Sequence, residues 1–413
     1  MTLILILMMQ SSFAMTFDQL KQTALEQNKS LQAAREQLRQ AEARLKQAGL
    51  RPNPSLDLSR STDALFANEG ENGLAVAFSQ PFELGGKRER RIGVAEAEVE
   101  LAKAEIAEAE RQLIGQLRTA YLRAAETSAR MNFFDRSHGL NQQMAQVMTV
   151  RLASGDASRL ESHLLQAENN RLEAQRLMAE SQLTQEMFEV RKLVGISSAE
   201  PLVFRPLVSA EVPSSDGNEV NLIEAAFRNR PDLRAARLRE VLANAGVNLA
   251  RAQAKPTIIG SVRYAAEPSV SRFATATQGR AFEKESVLDF GISIPLPFWN
   301  REQGNIGEAV SKVAQASAER QSLENTIRME VVAASRRYQS ALRSLELIRT
   351  GVVNETAQGF SITQLAYRLG DAKITDVIFQ QRSLIDAQLA QVAAEAELAA
   401  AWAQLDLTLG VLK

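Results

Sequence analysis

At 413 residues the chain has the length of two or three globular domains. Yet only 5% of it is aromatic, and Ala, Gln, Glu, Leu and Arg fill long stretches, a profile of extended helices rather than compact cores. A net charge of −1 leaves no basic surface for nucleic acid, and the lack of Cys excludes disulfides, thiolate metal sites and cysteine lipidation.

Met1–Ala14 (MTLILILMMQSSFA) is apolar and then turns small and polar, and Ser12-Phe13-Ala14 fits a small-x-small cleavage site. This predicts a signal peptide over 1–14, with the charged n-region missing from its front and the true start codon therefore open. From Thr16 to about Gly49, Leu20, Leu25, Leu31, Leu38 and Leu45 mark a helix that Pro52 and Pro54 stop. Between Ser55 and Glu83 the period drops to two: Leu56 and Leu58 alternate with Asp57 and Ser59, and Leu74, Val76 and Phe78 with Ala75, Ala77 and Ser79. Thr62–Gly73 has loop chemistry, so the segment is predicted as a hairpin.

A very long helix is predicted from Arg88 to about Ala153. Ile92, Val99, Ile106 and Leu113 fall seven apart, with Ala95, Ala102 and Ala109 beside them, a heptad seam that draws helices close. At ~1.5 Å per residue such a helix extends on the order of 100 Å and needs lateral support from others like it. It ends at a tip where Gly155 suits a left-handed cap and Ser158 with Glu161 forms a capping box for a return helix to Val194. Residues 196–218 are an extended linker.

The chain then repeats itself. Leu25–Arg35 (LEQNKSLQAAR) recurs as Phe227–Arg237 (FRNRPDLRAAR), Phe78–Pro81 with Ile92-Gly93 as Ile292–Pro295 with Ile306-Gly307, Gly155-Asp156-Ala157 as Gly370-Asp371-Ala372, and Leu193-Val194-Gly195 as Thr408-Leu409-Gly410. The offsets run 202, 214, 214, 215 and 215. Each copy, 15–195 and 219–413, reads helix, hairpin, long helix, tip, helix. In the second the hairpin spans 257–296 with a loop at Ala266–Ser286, and Tyr264, Phe273, Phe282, Phe298 and Trp299 are candidates for interfacial aromatic girdles.

Strands with one apolar and one small or polar face suit either a half-exposed soluble sheet or a membrane barrel with a watery lumen. Four strands cannot close in lipid, where an open edge leaves backbone groups unpaired, so a membrane reading requires several copies to pool strands. Two chains would supply eight and three would supply twelve, the latter leaving a lumen.

Repeated helix-hairpin-helix-tip architecture, a signal peptide, Gln80–Arg88 (QPFELGGKR) after a hairpin and Tyr367-Arg368-Leu369-Gly370 at a tip resemble the TolC-like outer-membrane efflux proteins. QPFELGGKR is most similar to the branch serving heavy-metal pumps of the cobalt–zinc–cadmium type. The resemblance implies a mainly α fold with transmembrane β: a homotrimer with a twelve-stranded barrel in the outer-membrane lipid and a long coiled α-helical barrel in the periplasm. It implies docking onto a periplasmic adaptor and an inner-membrane proton-driven pump. It also implies a gate after the second tip, where Asp376 falls on a position at which family members carry carboxylates; Phe379 stands where some relatives are acidic, and Glu161 is the first-copy counterpart of Asp376. Three Asp376 side chains would make an acidic ring; a solvated helix-face charge is the plainer alternative. Arg151, Gly155, Asp156, Tyr367, Arg368, Gly370 and Asp371 are the expected adaptor contacts, the glycines serving the turns as well.

His138 and His163 sit on helices without ligand-spaced partners, and no nucleophile elbow, zinc or nucleotide motif occurs, so no enzyme, cofactor or metal site is expected. A cytosolic coiled-coil scaffold would explain the heptads but not the hairpins, and a periplasmic adaptor would need β-rich domains between its helices.

Overall fold

The structure, a computed structural model, describes residues 16–62, 65, 72–155, 157–197, 202, 219–271 and 281–411. The expected signal peptide, Asp156, Phe273 and most of the 196–218 linker lie outside them. The chain divides into two compact units: one within Met1–Arg35, Glu105–Leu233 and Ser322–Lys413, the other within Glu36–Ala104 and Arg234–Gln321.

In chain order the elements are α1 (Phe17–Gln27), α2 (Lys29–Ala48), β1 (Ser55–Thr62), β2 (Asn72–Glu83), α3 (Lys87–Ser154), α4 (Arg159–Val194), α5 (Glu219–Asn229), α6 (Pro231–Gln253), β3 (Thr257–Ser271), β4 (Ala281–Ser293), α7 (Gln303–Leu347), α8 (Asn354–Leu369) and α9 (Ile374–Leu409). A π turn, Ile348–Val353, joins α7 to α8.

Three features differ from the sequence expectation. The first helix breaks at Asn28, whose Oδ1 accepts from the Leu31 N–H at 3.0 Å while its Nδ2 donates to the Leu193 carbonyl at 2.8 Å. The side chain thereby caps α2 and ties it to the end of α4. The second copy breaks at the equivalent place, with Pro231 opening α6. The segment read as a loop at Ala266–Ser286 is largely strand: β3 and β4 stay in register from Ile259↔Ser293 to Ser271↔Ala281. Its Pro268 and charged residues conceal a ladder that continues past the apolar band.

In the helical unit the two copies build matching cores. Leu20, Ala24, Leu31, Leu113, Leu117, Val190 and Val194 pack together around Tyr121, joined by Leu202 of the linker. Ala226, Leu233, Ile327 and Val331 form the second-copy counterpart, and Ala334, Tyr338, Leu398, Ala401 and Leu405 extend it. Leu117, Leu233, Ile327 and Val331 are each 0% exposed, and burying such a side chain contributes about 1.5–3 kcal/mol.

Candidate functional site

In the second unit the sheet order is β1-β2-β3-β4, antiparallel throughout. The register stacks like with like. Leu56, Phe78, Val262 and Phe290 share a row, as do Leu58, Val76, Tyr264 and Leu288. These side chains are exposed, Leu58 by 74% and Phe290 by 77%, as is Ile292, two residues on from Phe290, by 75%. The alternate rows hold Ser55, Ser79, Ser261 and Gly291, then Asp57, Ala77, Arg263 and Asp289, with Arg263 and Asp289 3.7 Å apart. Asp57, Arg263 and Asp289 on the other face are exposed too, so the sheet has one apolar and one small or polar face, an arrangement that suits lipid on one side and a hydrated lumen on the other.

The QPFELGGKR segment joins this sheet to α3. Arg91 donates to both oxygens of Glu83 and to the Leu50 carbonyl, Lys87 reaches Thr257 Oγ1 at 2.9 Å, and Arg88 Nε donates to the Gly49 carbonyl at 2.6 Å. Phe298 and Trp299, on the turn between β4 and α7, are 64% and 88% exposed. Tyr264 lies on the apolar face with its hydroxyl 3.2 Å from Ser286 Oγ; the Phe282 side chain lies outside the described residues.

In the helical unit both tips turn on glycine. Gly155 has φ 83° and Gly370 φ 91°, a region that strains any side chain. At the second tip the Asp371 N–H bonds the Ala366 carbonyl at 2.9 Å and the Gly370 N–H bonds that of Tyr367 at 3.2 Å. The tips pack on each other through Met148, Leu165, Ile374, Val377 and Ile378, with Tyr367 and Phe360 against them. A cavity of about 440 Å³ beside this cluster is lined by Met144, Val147, Tyr367, Arg368 and Gln381 among others.

Glu161 accepts from the Ser158 N–H at 2.8 Å, and Asp376 from the Lys373 N–H at 3.1 Å, so each carboxylate stands at the third position of its helix and caps the first turn. Phe379, one turn on, is 69% exposed. Arg368 and Asp371 are exposed beside Gly370. The Arg151 side chain lies outside the described residues.

A polar layer lies just past the tips. Glu168, 0% exposed, is held by Arg171 of its own helix and by Arg382 of α9, the latter at 2.8 and 2.6 Å. Burial pushes its carboxyl up, but the two guanidiniums outweigh that and hold it below the usual carboxylate range. Next to it Gln381 Nε2 donates to Asn141 Oδ1 at 2.7 Å. The signal was present in the sequence: Leu165, Glu168 and Leu172 fall on one apolar stripe, where a carboxylate requires a partner. Among the described residues no three His, Asp or Glu come together as a metal site, and no helix is long and apolar enough to cross a membrane.

The outer membrane efflux protein family model matches residues 20–196 and 222–411. This chain belongs to that family. It is 24% identical over 367 residues to the cobalt-zinc-cadmium resistance protein CzcC of Cupriavidus metallidurans, covering 88% of this chain and 82% of the relative. The nickel-cobalt-cadmium resistance protein NccC of Alcaligenes xylosoxydans xylosoxydans is 25% identical over 329 residues, or 79% of this chain and 70% of the relative. In fold the chain is similar to the outer-membrane channel OprN, with a TM-score of 0.76 at 19% identity over 95% of this chain and 89% of that one. CusC, solved in a study of transmembrane channel formation, gives 0.76 at 17% identity over 95% and 92%. The protein is thus an outer-membrane efflux channel.

Proposed function

We propose that three copies pool their sheets into one twelve-stranded barrel and form a passive conduit that exports divalent heavy-metal cations. The observation that carries this is the four-stranded sheet with an exposed apolar face and no strand, among the described residues, against the outer edge of β1 or of β4. In lipid those edges need partners, and further copies of the same sheet supply them. The metal cargo is supported by the similarity to CzcC and NccC.

In this reading Arg151, Gly155, Asp156, Tyr367, Arg368, Gly370 and Asp371 meet a periplasmic adaptor, which links the channel to a proton-driven inner-membrane pump. Asp376, Phe379 and Glu161 narrow the mouth. The exposure of Asp376 and Phe379 within one chain, and the place of Glu161 and Asp376 in the first turns after the tips, support that role. A deletion strain is expected to become sensitive to cobalt, zinc or cadmium and to recover with the intact gene. Unchanged metal tolerance beside increased drug sensitivity would reject the metal cargo. Purified protein should run as a heat-modifiable trimer, and a soluble monomer would reject the pooled barrel. Changing Arg151 and Arg368 together to Glu should abolish adaptor cross-linking, and retained cross-linking would remove the tips from the docking surface.

A further inference from the structure

The two long arms differ by one residue, and burial shows where. Their upstream landmarks, Ile92 and Ile306, stand 214 positions apart, while the tip glycines Gly155 and Gly370 stand 215 apart. Leu113, Leu117, Tyr121, Ala124 and Thr127 are buried on α3, and at the spacing of 214 so are Ile327, Val331, Ser335, Tyr338 and Ala341 on α7. On the return helices the buried Leu172, Ala179 and Val190 answer to Ala387, Ala394 and Leu405 at 215. The additional residue therefore lies between Ala341 and Gly370. The π turn Ile348–Val353 falls in that stretch, whereas α3 is unbroken from Lys87 to Ser154.

One residue added to an α-helix would rotate everything beyond it by about 100°. Widening a single turn absorbs the addition and leaves the downstream face where it was. The turn is locally weak. It joins β-branched Ile348, Thr350, Val352 and Val353 to Gly351, all poorer helix formers than Ala or Leu. The hydroxyls of Thr350 and Thr356 bond back to the carbonyls of Glu346 at 2.7 Å and Val352 at 2.8 Å, which bends helices. Neither the turn nor α8 buries a side chain within the chain, while the corresponding stretch of α3 buries Phe134, Ser137, Asn141 and Met148. Within one chain, then, the π turn and α8 are less tied down than the matching stretch of α3. A Cβ at Gly351 would meet nothing within 4 Å, so packing does not demand glycine there.

We propose that Ile348–Val353 is a hinge. It lets α8 and the start of α9, with Asp376 and Phe379, swing against α7 and part Ile374, Val377 and Ile378 from Met148 and Leu165 while the first arm stays stiff. The moving part ends at Gln381 and Arg382, which are pinned to Asn141 and Glu168. Its use in gating rests on the channel reading above.

The chain has no Cys, so spin labels can be placed singly. Ser344→Cys with Ile362→Cys spans the hinge, and Arg130→Cys with Val147→Cys spans the matching stretch of α3; at ~1.5 Å per residue either pair is roughly 25 Å apart. With labelled chains diluted among unlabelled ones in full-length protein, the hinge pair should give a broader distance distribution than the α3 pair. Deletion of Gly351 should narrow it to the α3 width. Equal widths in the two pairs, or no narrowing on deletion, would overturn the hinge. In planar bilayers, Gly351→Ala, which keeps the chain length, should lower opening frequency about fivefold by favouring straight helix, at unchanged single-channel conductance. An unchanged frequency would separate the hinge from gating and overturn the proposal. Protein that forms no pores yet shows the expected widths would sink the channel reading and leave the hinge standing; pores with equal widths would do the reverse.

Discussion

The sheet and the helical tips place their apolar residues in opposite senses. In the sheet, Leu58, Phe290 and Ile292 face outward while Ser261, Arg263 and Asp289 share the other face. At the tips Leu165, Ile374 and Val377 are buried, and Arg368, Asp371 and Asp376 are exposed. The charged residues are exposed in both places, so the difference lies in the apolar ones, buried at the tips as water requires and open on the sheet as lipid allows. Glu168 sharpens the contrast: the helical unit tolerates a fully buried carboxylate only because two guanidiniums close on it.

The largest disturbance should come from breaking that cluster. Replacing Arg171 and Arg382 together with Ala leaves Glu168 buried and unpaired, and should cost about 3–5 kcal/mol in denaturant titration followed by helical circular dichroism. Loss of less than 1 kcal/mol would mean that water reaches the carboxylate. Next in size, Phe290→Arg should cost about 2–4 kcal/mol and reduce outer-membrane assembly, while Ser261→Arg, on the opposite face, should assemble normally and alter conductance. If the two variants assemble equally, the sheet has no lipid side.

A smaller effect should appear in acid. Glu168 and Asp232 are both held below the usual carboxylate range, each by arginines that outweigh its burial, Asp232 chiefly by Arg230 at 2.6 Å. A carboxyl whose folded value is depressed stabilises the fold above its unfolded value, near pH 4, and loses that contribution as pH falls through the folded value. Thermal melts should therefore be flat from pH 7 to about pH 5 and drop below about pH 4, and the drop should shrink in Glu168→Gln. The mildest change is Asp376→Ala. It removes a first-turn cap worth at most ~1 kcal/mol, but it should raise single-channel conductance and weaken block by multivalent cations. Unchanged block would leave Asp376 as a helix cap alone.

Much of this was legible in the sequence because it is periodic. Heptads announced α3, alternation announced β1 and β2, and Ser158 with Glu161 announced the start of α4. What escaped was carried by single residues or by the loss of a period. Asn28 ends one helix and starts another through its own side chain, a contact with Leu193 that no local pattern encodes. Beyond Ala266 the strand partners are Glu267, Pro268 and Lys284, whose polarity resembles a loop although the ladder continues. The π turn left only a change of one in the spacing between copies, and its position emerged when buried residues could be matched. The resemblance pointed to Asp376 as an expected gate residue, whereas its capping role depends on the Lys373 N–H lying 3.1 Å away.

The unequal edges of the sheet bear on how the molecule matures. β1 has eight residues and β4 thirteen, so a β4 edge joined to the β1 of another copy leaves rungs over. Completion of the fold in lipid then becomes a reaction of higher order, with a rate that rises steeply with concentration. If copies pool their sheets as proposed, one with a damaged edge would spoil the ring it enters, so a defective allele should be dominant over the intact gene.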